Sequence, residues 1–240
     1  LKRASEAGVF ARVVPEIHPL VRNLNTAYVV ASEMGLRRSS VISAMLYDVV
    51  TAGFLTVEAA EKQFGKSVGG ILRGLTKANE LYDRNTAIET ENFRNLLLSF
   101  AQDGRVILIM IADRLNTMRV LKYYPEDARQ RIAREASYLF APLAHRMGLY
   151  AIKTELEDLS MKFTQSGVYQ EIARKLDETK TSREAYIKSF IEPVKKRVEE
   201  TTALQFDIKG RTKSISSIWN KLKKQKIPFE DIYDLFAIRI

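Results

Sequence analysis

Residues 1 to about 165 form a succession of helix-period segments with short breaks, and no long alternating pattern interrupts them. Such a stretch buries its apolar faces by packing helix on helix, so this part is expected to be all helical. Leu24, Ala27, Tyr28, Ala31 and Met34 mark one apolar face, ended by Gly35. Ser39 and Ser40 then offer a cap for a helix from Val41 to Val50, which Gly53 breaks. Thr56 is expected to cap a short helix reaching Phe64, with Gly65 as its stop. Val68 to Thr76 continues the set, and the polar run from Asn79 to Glu91 reads as an exposed loop before a helix centred on Phe93 to Phe100. Arg105 to Leu121, Ile132 to Arg146 and Glu155 to Phe163 supply further helical segments. With 240 residues and 46% apolar content the chain can bury a substantial core, in one large domain or two smaller ones.

After Gly167 a charged amphipathic helix is expected from Tyr169 to about Glu200, with Ile172, Leu176, Phe190 and Val194 on its apolar face. Composition shifts at about residue 204 from helical to mixed α/β. Phe206 to Lys209 alternates as a strand, a Gly210 loop follows, Ile215, Ile218, Trp219 and Leu222 recur with helical spacing, and Ile232 to Ile240 reads as a buried strand. Between Leu204 and Lys226 stand seven Lys or Arg against one acid, Asp207, which suits a polyanion. Phosphate is the leading candidate. Arg211 can fork onto phosphate oxygens, Lys213 and Lys221 are point charges, Ser217 adds a neutral donor near the helix start, and Asp234 can hold a magnesium ion bridging those phosphates. A merely solvated basic face is the alternative, as is a general nucleic-acid binder, although aromatic residues for base stacking are sparse and Trp219 reads as core.

The net charge of +9 favours an anionic partner without choosing one. Cys is absent, which excludes disulfides and thiolate metal sites, and no apolar run approaches the ~20 residues of a membrane span, so a cytoplasmic protein without membrane contact is expected. The chain opens without Met and ends inside a strand pattern at Ile240, which reads as part of a longer protein. In the helical part the chemically notable residues are Asp48, after Tyr47, and Asp113. A carboxylate within an apolar helix is costly unless it is paired or bound to metal. Either state fits here, and pairing with an arginine such as Arg114 or Arg119 is the plainer one.

The stretch Gly210-Arg211-Thr212-Lys213-Ser214-Ile215-Ser216-Ser217-Ile218-Trp219-Asn220-Lys221, with Tyr233-Asp234-Leu235-Phe236-Ala237-Ile238-Arg239, resembles the opening of the synthetase domain in the long RelA/SpoT family. That family's pattern is G-R-x-K-x-x-x-S-I-x-x-K, then an aromatic and D-L-x-A-I-R. The helical part resembles the family's hydrolase domain in Phe64-Gly65-Lys66-Ser67-Val68, Ala112-Asp113-Arg114-Leu115 and Ala141-Pro142-Leu143-Ala144-His145-Arg146-Met147-Gly148. The resemblance implies a mainly α chain: an all-helical HD-type pseudo-hydrolase domain over 1–165, a helical connector over 166–203, and the incomplete start of an α/β, nucleotidyltransferase-like synthetase domain over 204–240. It implies an N-terminal part of a GTP pyrophosphokinase of the stringent response, which transfers pyrophosphate from ATP to the 3′-hydroxyl of GTP or GDP. Arg211, Lys213, Ser217 and Lys221 would serve ATP and Asp234 its magnesium, and this piece by itself is expected to be inactive because further synthetase residues lie beyond Asp234 in the family. Implied partners are ATP, GTP or GDP, (p)ppGpp as a regulator, and the ribosome through C-terminal regions.

In the family's hydrolase domain a His, a His-Asp pair and a later Asp hold manganese, and a Glu-Asp pair serves the water. Here Tyr47 stands at the His of the His-Asp pair, Thr51-Ala52 stands at the acidic pair, and counting back by the family's spacing puts the first His at Asn23. His18-Pro19 imitates the motif about five residues early, and His145 reads as structural. Asn23, Tyr47, Asp48 and Asp113 are thus remnant hydrolase positions, and two carboxylates without imidazole are a poor manganese site, so no manganese is expected. Two other readings stay open: a guanine-nucleotide-binding regulatory module without catalysis, with Arg119 among its contacts, and a (p)ppGpp hydrolase with an atypical metal site.

Overall fold

The computed structural model describes residues 1–8, 14–84, 103–202, 204–232 and 235–240, with the side chains of 81–84, Arg183, Arg211 and Arg239 left aside. The chain divides by its internal contacts into two compact units, Leu1–Phe163 and Thr164–Ile240. The helices read in the sequence as a connector lie within the second. The described fold is mainly α.

The first unit comprises α1 (Lys2–Glu6), α2 (Pro19–Tyr28), α3 (Arg38–Thr51), α4 (Val57–Phe64), α5 (Lys66–Arg84), α6 (Gly104–Arg119), α7 (Glu126–Glu135), α8 (Ala141–Arg146) and α9 (Tyr150–Thr164). Helix α6 is central: it packs on α2, α3, α5 and α8. Its Ile107, Ile111, Leu115 and Met118 recur at helical spacing and are almost wholly buried. Burying each such side chain stabilises the fold by roughly 1.5–3 kcal/mol. Asp103 caps α6, its carboxylate accepting from the Arg105 amide at 3.0 Å. Thr56 caps α4 in the same way, and Gly65 ends it at φ 101°, where a side chain would be strained.

Several boundaries differ from the sequence expectation, each for a local reason. Helix α3 begins at Arg38 with Arg37 as an N-cap that makes no side-chain bond. Ser39 and Ser40 lie in its first turn instead, and Ser43 Oγ donates to the Ser39 carbonyl at 2.8 Å. Helix α5 runs through Asn79 to Arg84, so the beginning of the expected loop is helical; the rest of that loop and the helix centred on Phe93 to Phe100 lie outside the described residues. The segment expected as one helix from Ile132 to Arg146 is interrupted by a π turn, Ala136–Phe140. Pro142 follows in the first turn of α8 and has no N–H with which to continue the ordinary ladder. A second π turn, Val29–Glu33, follows α2.

The second unit contains α10 (Ser166–Glu178), α11 (Lys180–Thr201), β1 (Lys209–Thr212), α12 (Ile215–Gln225) and β2 (Phe236–Arg239). The expected single helix from Tyr169 to Glu200 is two, broken at Thr179, whose hydroxyl donates to the Lys175 carbonyl at 3.0 Å and so satisfies a terminal acceptor of α10. Strands β1 and β2 are antiparallel with Gly210 opposite Ile238 and Arg211 opposite Ala237. β1 starts three residues later than the alternation of 206–209 suggests, and Gly210 lies in the strand instead of a loop. Close approach explains this glycine: a Cβ there would meet Ile187 Cγ2 of α11 at 2.4 Å. Gly210→Ala is therefore expected to destabilise the second unit by about 1–3 kcal/mol, as overpacking does. Because Cγ2 belongs to a stiff branched side chain, adding Ile187→Ala should recover part of that loss in a urea melt; additive losses would count against the contact.

Candidate functional site

In the first unit, three helices bring polar side chains to one cavity, which is lined among others by Asn23 and Thr26 of α2, Tyr47 and Asp48 of α3, and Asp113 and Arg114 of α6. Asn23, Tyr47, Asp48 and Asp113, the four positions singled out in the helical part of the sequence, thus meet at one place. Asn23 is buried there and its amide helps to hold the Asp48 charge, although Nδ2 makes no well-formed hydrogen bond among the described residues. His18 does not join them: its Nδ1 accepts from the Leu20 amide at 3.2 Å and caps α2. His145 packs edge-on against Tyr150 at 5.5 Å.

The two carboxylates that line the cavity, Asp48 and Asp113, are both approached by Arg22. Its Nη2 lies 2.6 and 2.7 Å from the two carboxylate oxygens of Asp113, and its Nη1 lies 3.9 Å from Asp48. Thr26 Oγ1 donates to Asp113 at 3.4 Å, while Asn116 Nδ2 donates to the Arg22 carbonyl at 2.8 Å and to Thr26 Oγ1 at 3.0 Å. Arg22 Nε is buried without a hydrogen-bond partner among the described residues, and the charged contacts of the guanidinium are made by Nη1 and Nη2. Burial pushes the Asp48 carboxyl above its ordinary range, Arg22 pulls it back, and Asp113 adds to the rise. The Asp113 charge, against the opposing effect of burial, raises the Arg22 pKa above that of free arginine.

The arginines named from the sequence as carboxylate partners are engaged elsewhere. Arg114 pairs with Glu135 at 3.0 Å and lies 4.5 Å over the Phe140 ring. Arg119 spreads its fork over two glutamates: Nη1 and Nη2 donate to Glu33 at 2.6 and 2.8 Å, and Nε and Nη2 donate to Glu155 at 2.6 and 2.8 Å. That geometry leaves it a structural clamp. Arg22 is not named by the sequence reading, which looks for a partner along α6; the signal it offers is its place directly before Asn23 on α2.

These residues do not fit the manganese that the family resemblance implies. No imidazole reaches the cavity among the described residues, both Asp113 oxygens face a guanidinium, and a phenol at Tyr47 is a poor ligand for manganese. No group of three or more His, Cys, Asp or Glu among the described residues is placed to hold a metal ion.

In the second unit, Ser214 caps α12, with the Ser217 amide donating to its Oγ at 3.3 Å and that Oγ donating to Ser217 Oγ at 2.7 Å. Ser217 and Lys221 are one turn apart on α12, and Lys213 directly precedes the cap. The Lys213 amide donates to the Leu235 carbonyl at 2.8 Å, which fixes the basic segment beside the start of β2. Arg211 is in β1, and Asp234 lies outside the described residues. Trp219 is half-buried, not fully core: its Nε1 donates to Gln165 Oε1 at 2.9 Å and Lys223 lies 5.3 Å over its ring.

Residues 13–150 match the family model described as HD domain. The chain belongs to the HD domain family. This HD domain is similar to the guanosine-3′,5′-bis(diphosphate) 3′-pyrophosphohydrolase of Aquifex aeolicus (strain VF5), with 34% identity over 224 residues that cover 93% of this chain and 31% of that protein. The GTP pyrophosphokinase of Myxococcus xanthus is 34% identical over 226 residues, covering 92% of this chain and 30% of that protein. The bifunctional (p)ppGpp synthase/hydrolase SpoT of Escherichia coli (strain K12) is 34% identical over 212 residues, covering 88% and 30%. The chain therefore spans about a third of the length of these relatives, and with them it is a Rel/SpoT-type HD domain protein. Among solved structures, that of a metazoan ortholog of SpoT, described as hydrolysing ppGpp, shares the fold with a TM-score of 0.50 at 22% identity, covering 69% of this chain and 92% of its own. No described helix is long and apolar enough to cross a membrane.

Proposed function

We propose that this chain is the N-terminal part of a cytoplasmic GTP pyrophosphokinase, which transfers pyrophosphate from ATP to the 3′-hydroxyl of GTP or GDP, and that its HD domain is non-catalytic and regulatory. What supports the synthetase half is one arrangement: the β1–β2 pairing sets Lys213 beside Leu235, the residue after Asp234, with Ser217 and Lys221 following on α12. In this reading Arg211, Lys213, Ser217 and Lys221 hold the ATP phosphates, and Asp234 holds a magnesium ion that would neutralise their charge. The ribosome would be met through regions outside this chain, and (p)ppGpp would act as a regulator.

The names of the relatives support hydrolysis and synthesis alike, so the hydrolase alternative is the one to exclude. Hydrolysis needs a fixed metal and a group that manages the attacking water's proton. Thr51 stands where the acidic pair is expected and instead donates to the Tyr47 carbonyl at 3.0 Å. The full-length protein is expected to make (p)ppGpp from ATP and GTP or GDP and to release no pyrophosphate from (p)ppGpp with manganese present. Tyr47→His, which restores only the His-Asp pair, should release none either. Hydrolysis by either protein would overturn the non-catalytic reading of the HD domain, and absence of synthesis would overturn the other half.

A further inference from the structure

The family resemblance implies a metal ion where Asp48 and Asp113 meet. In this chain a cation is present at that convergence, and it is covalently part of α2. Arg22 places one nitrogen against both oxygens of Asp113 on α6 and another 3.9 Å from Asp48 on α3. It therefore joins three helices through the two carboxylates that survive, as a bound metal ion would. Its neighbours support the same placement, because Asn116 holds the Arg22 backbone carbonyl, and Thr26 and Thr117 flank the Asp113 side with hydroxyl oxygens. Two carboxylates brought to one cavity repel each other unless a positive charge is set against them, and Arg22 supplies that charge to both.

We propose that Arg22 is a built-in replacement for the metal ion: it cross-links α2, α3 and α6 through Asp113 and Asp48, keeps this unit folded without a divalent cation, and bars such a cation from the cavity. A guanidinium suits the part, since it stays charged at any physiological pH and offers a planar fork to carboxylate oxygens, and Arg22 is half-buried where it meets them. Lysine would not substitute, having one compact ammonium and no fork. The inference deepens the non-catalytic reading of the HD domain given above, and its readout is thermal stability, which can fail or succeed independently of any nucleotide assay.

The test uses the whole 240-residue chain, melted with and without about 1 mM manganese chloride. The unsubstituted protein is expected to melt at the same temperature in both conditions. Arg22→Ala should melt at least ~5 °C lower without metal, because Asp48 and Asp113 are left facing each other, and manganese should restore part of that loss through their oxygens. Arg22→Gln, which preserves more of the volume and a hydrogen-bonding head, carries the same test should Arg22→Ala fail to fold. It too should lose stability and regain some of it with manganese. An unaltered melting temperature in the folded variant would remove the cross-link. A variant that is destabilised yet unmoved by manganese would remove the equivalence of guanidinium and metal. A manganese-induced rise in the unsubstituted protein would show that Arg22 does not bar the cation.

Discussion

In the full-length protein, Asp234→Asn is expected to lower (p)ppGpp synthesis at least ~100-fold at saturating ATP, the scale expected when a key electrostatic stabiliser is lost. The neighbourhood supports this position: Leu235, the next residue, accepts from the Lys213 amide, and β2 follows it as the partner of β1. Transfer from ATP rests on positioning and on neutralising charge that grows towards the transition state. A metal-holding carboxylate should therefore affect turnover, whereas a lysine at the phosphates should act mainly on binding. Lys213→Ala is accordingly expected to raise KM for ATP with a smaller change in kcat. Thermal melts of both variants separate chemistry from folding. An Asp234→Asn protein that folds normally and synthesises at the unsubstituted rate would take Asp234 out of the active site.

The largest stability loss is expected in the first unit, from Glu135→Ala. Glu135 is buried and pairs with Arg114, whose side chain is only 14% exposed, at 3.0 Å. Deleting the acid removes the Glu135 counter-charge from a guanidinium stacked on Phe140, and breaking a buried pair in this way costs about 3–5 kcal/mol. The pair itself is not worth that much, because much of the loss is the cost of keeping the Arg114 charge buried without Glu135. Replacing both partners with apolar residues of similar volume, Arg114→Met with Glu135→Leu, should thus recover most of the loss in urea denaturation. A single-mutant loss below about 1 kcal/mol would mean that Arg114 finds other compensation.

The helical class was readable from periodicity alone, and the caps at Thr56 and Gly65 were readable from residue type, because those features depend on neighbours in sequence. The break at Thr179 and the π turn before Pro142 were not, since helix-forming composition continues through both and the interruption depends on backbone bonding. Gly210 looked like a loop residue; the need for it comes from Ile187 on another element, which no local pattern announces. At the candidate site, spacing against the family brought Asn23, Tyr47, Asp48 and Asp113 together, but Arg22 remained hidden. A charged residue on a helix ordinarily faces water, and only the folded arrangement of α2, α3 and α6 reveals that this one faces two acids.

The Arg22–Asp113 contact also has a meaning in time. Its partners are 91 residues apart, and the Asn116–Thr26 bond beside it spans 90. On a ribosome that adds roughly 5–20 residues each second, Arg22 is made about 5–18 s, and Asp48 about 3–13 s, before Asp113. Throughout that interval Arg22 has Asp48 as its one acidic partner from this cluster, and the α6 side chains that fill the centre of the unit do not yet exist. The nascent N-terminal helices must therefore remain soluble as an unfinished surface, and closure of the cavity becomes a late event that reports that α6 has arrived.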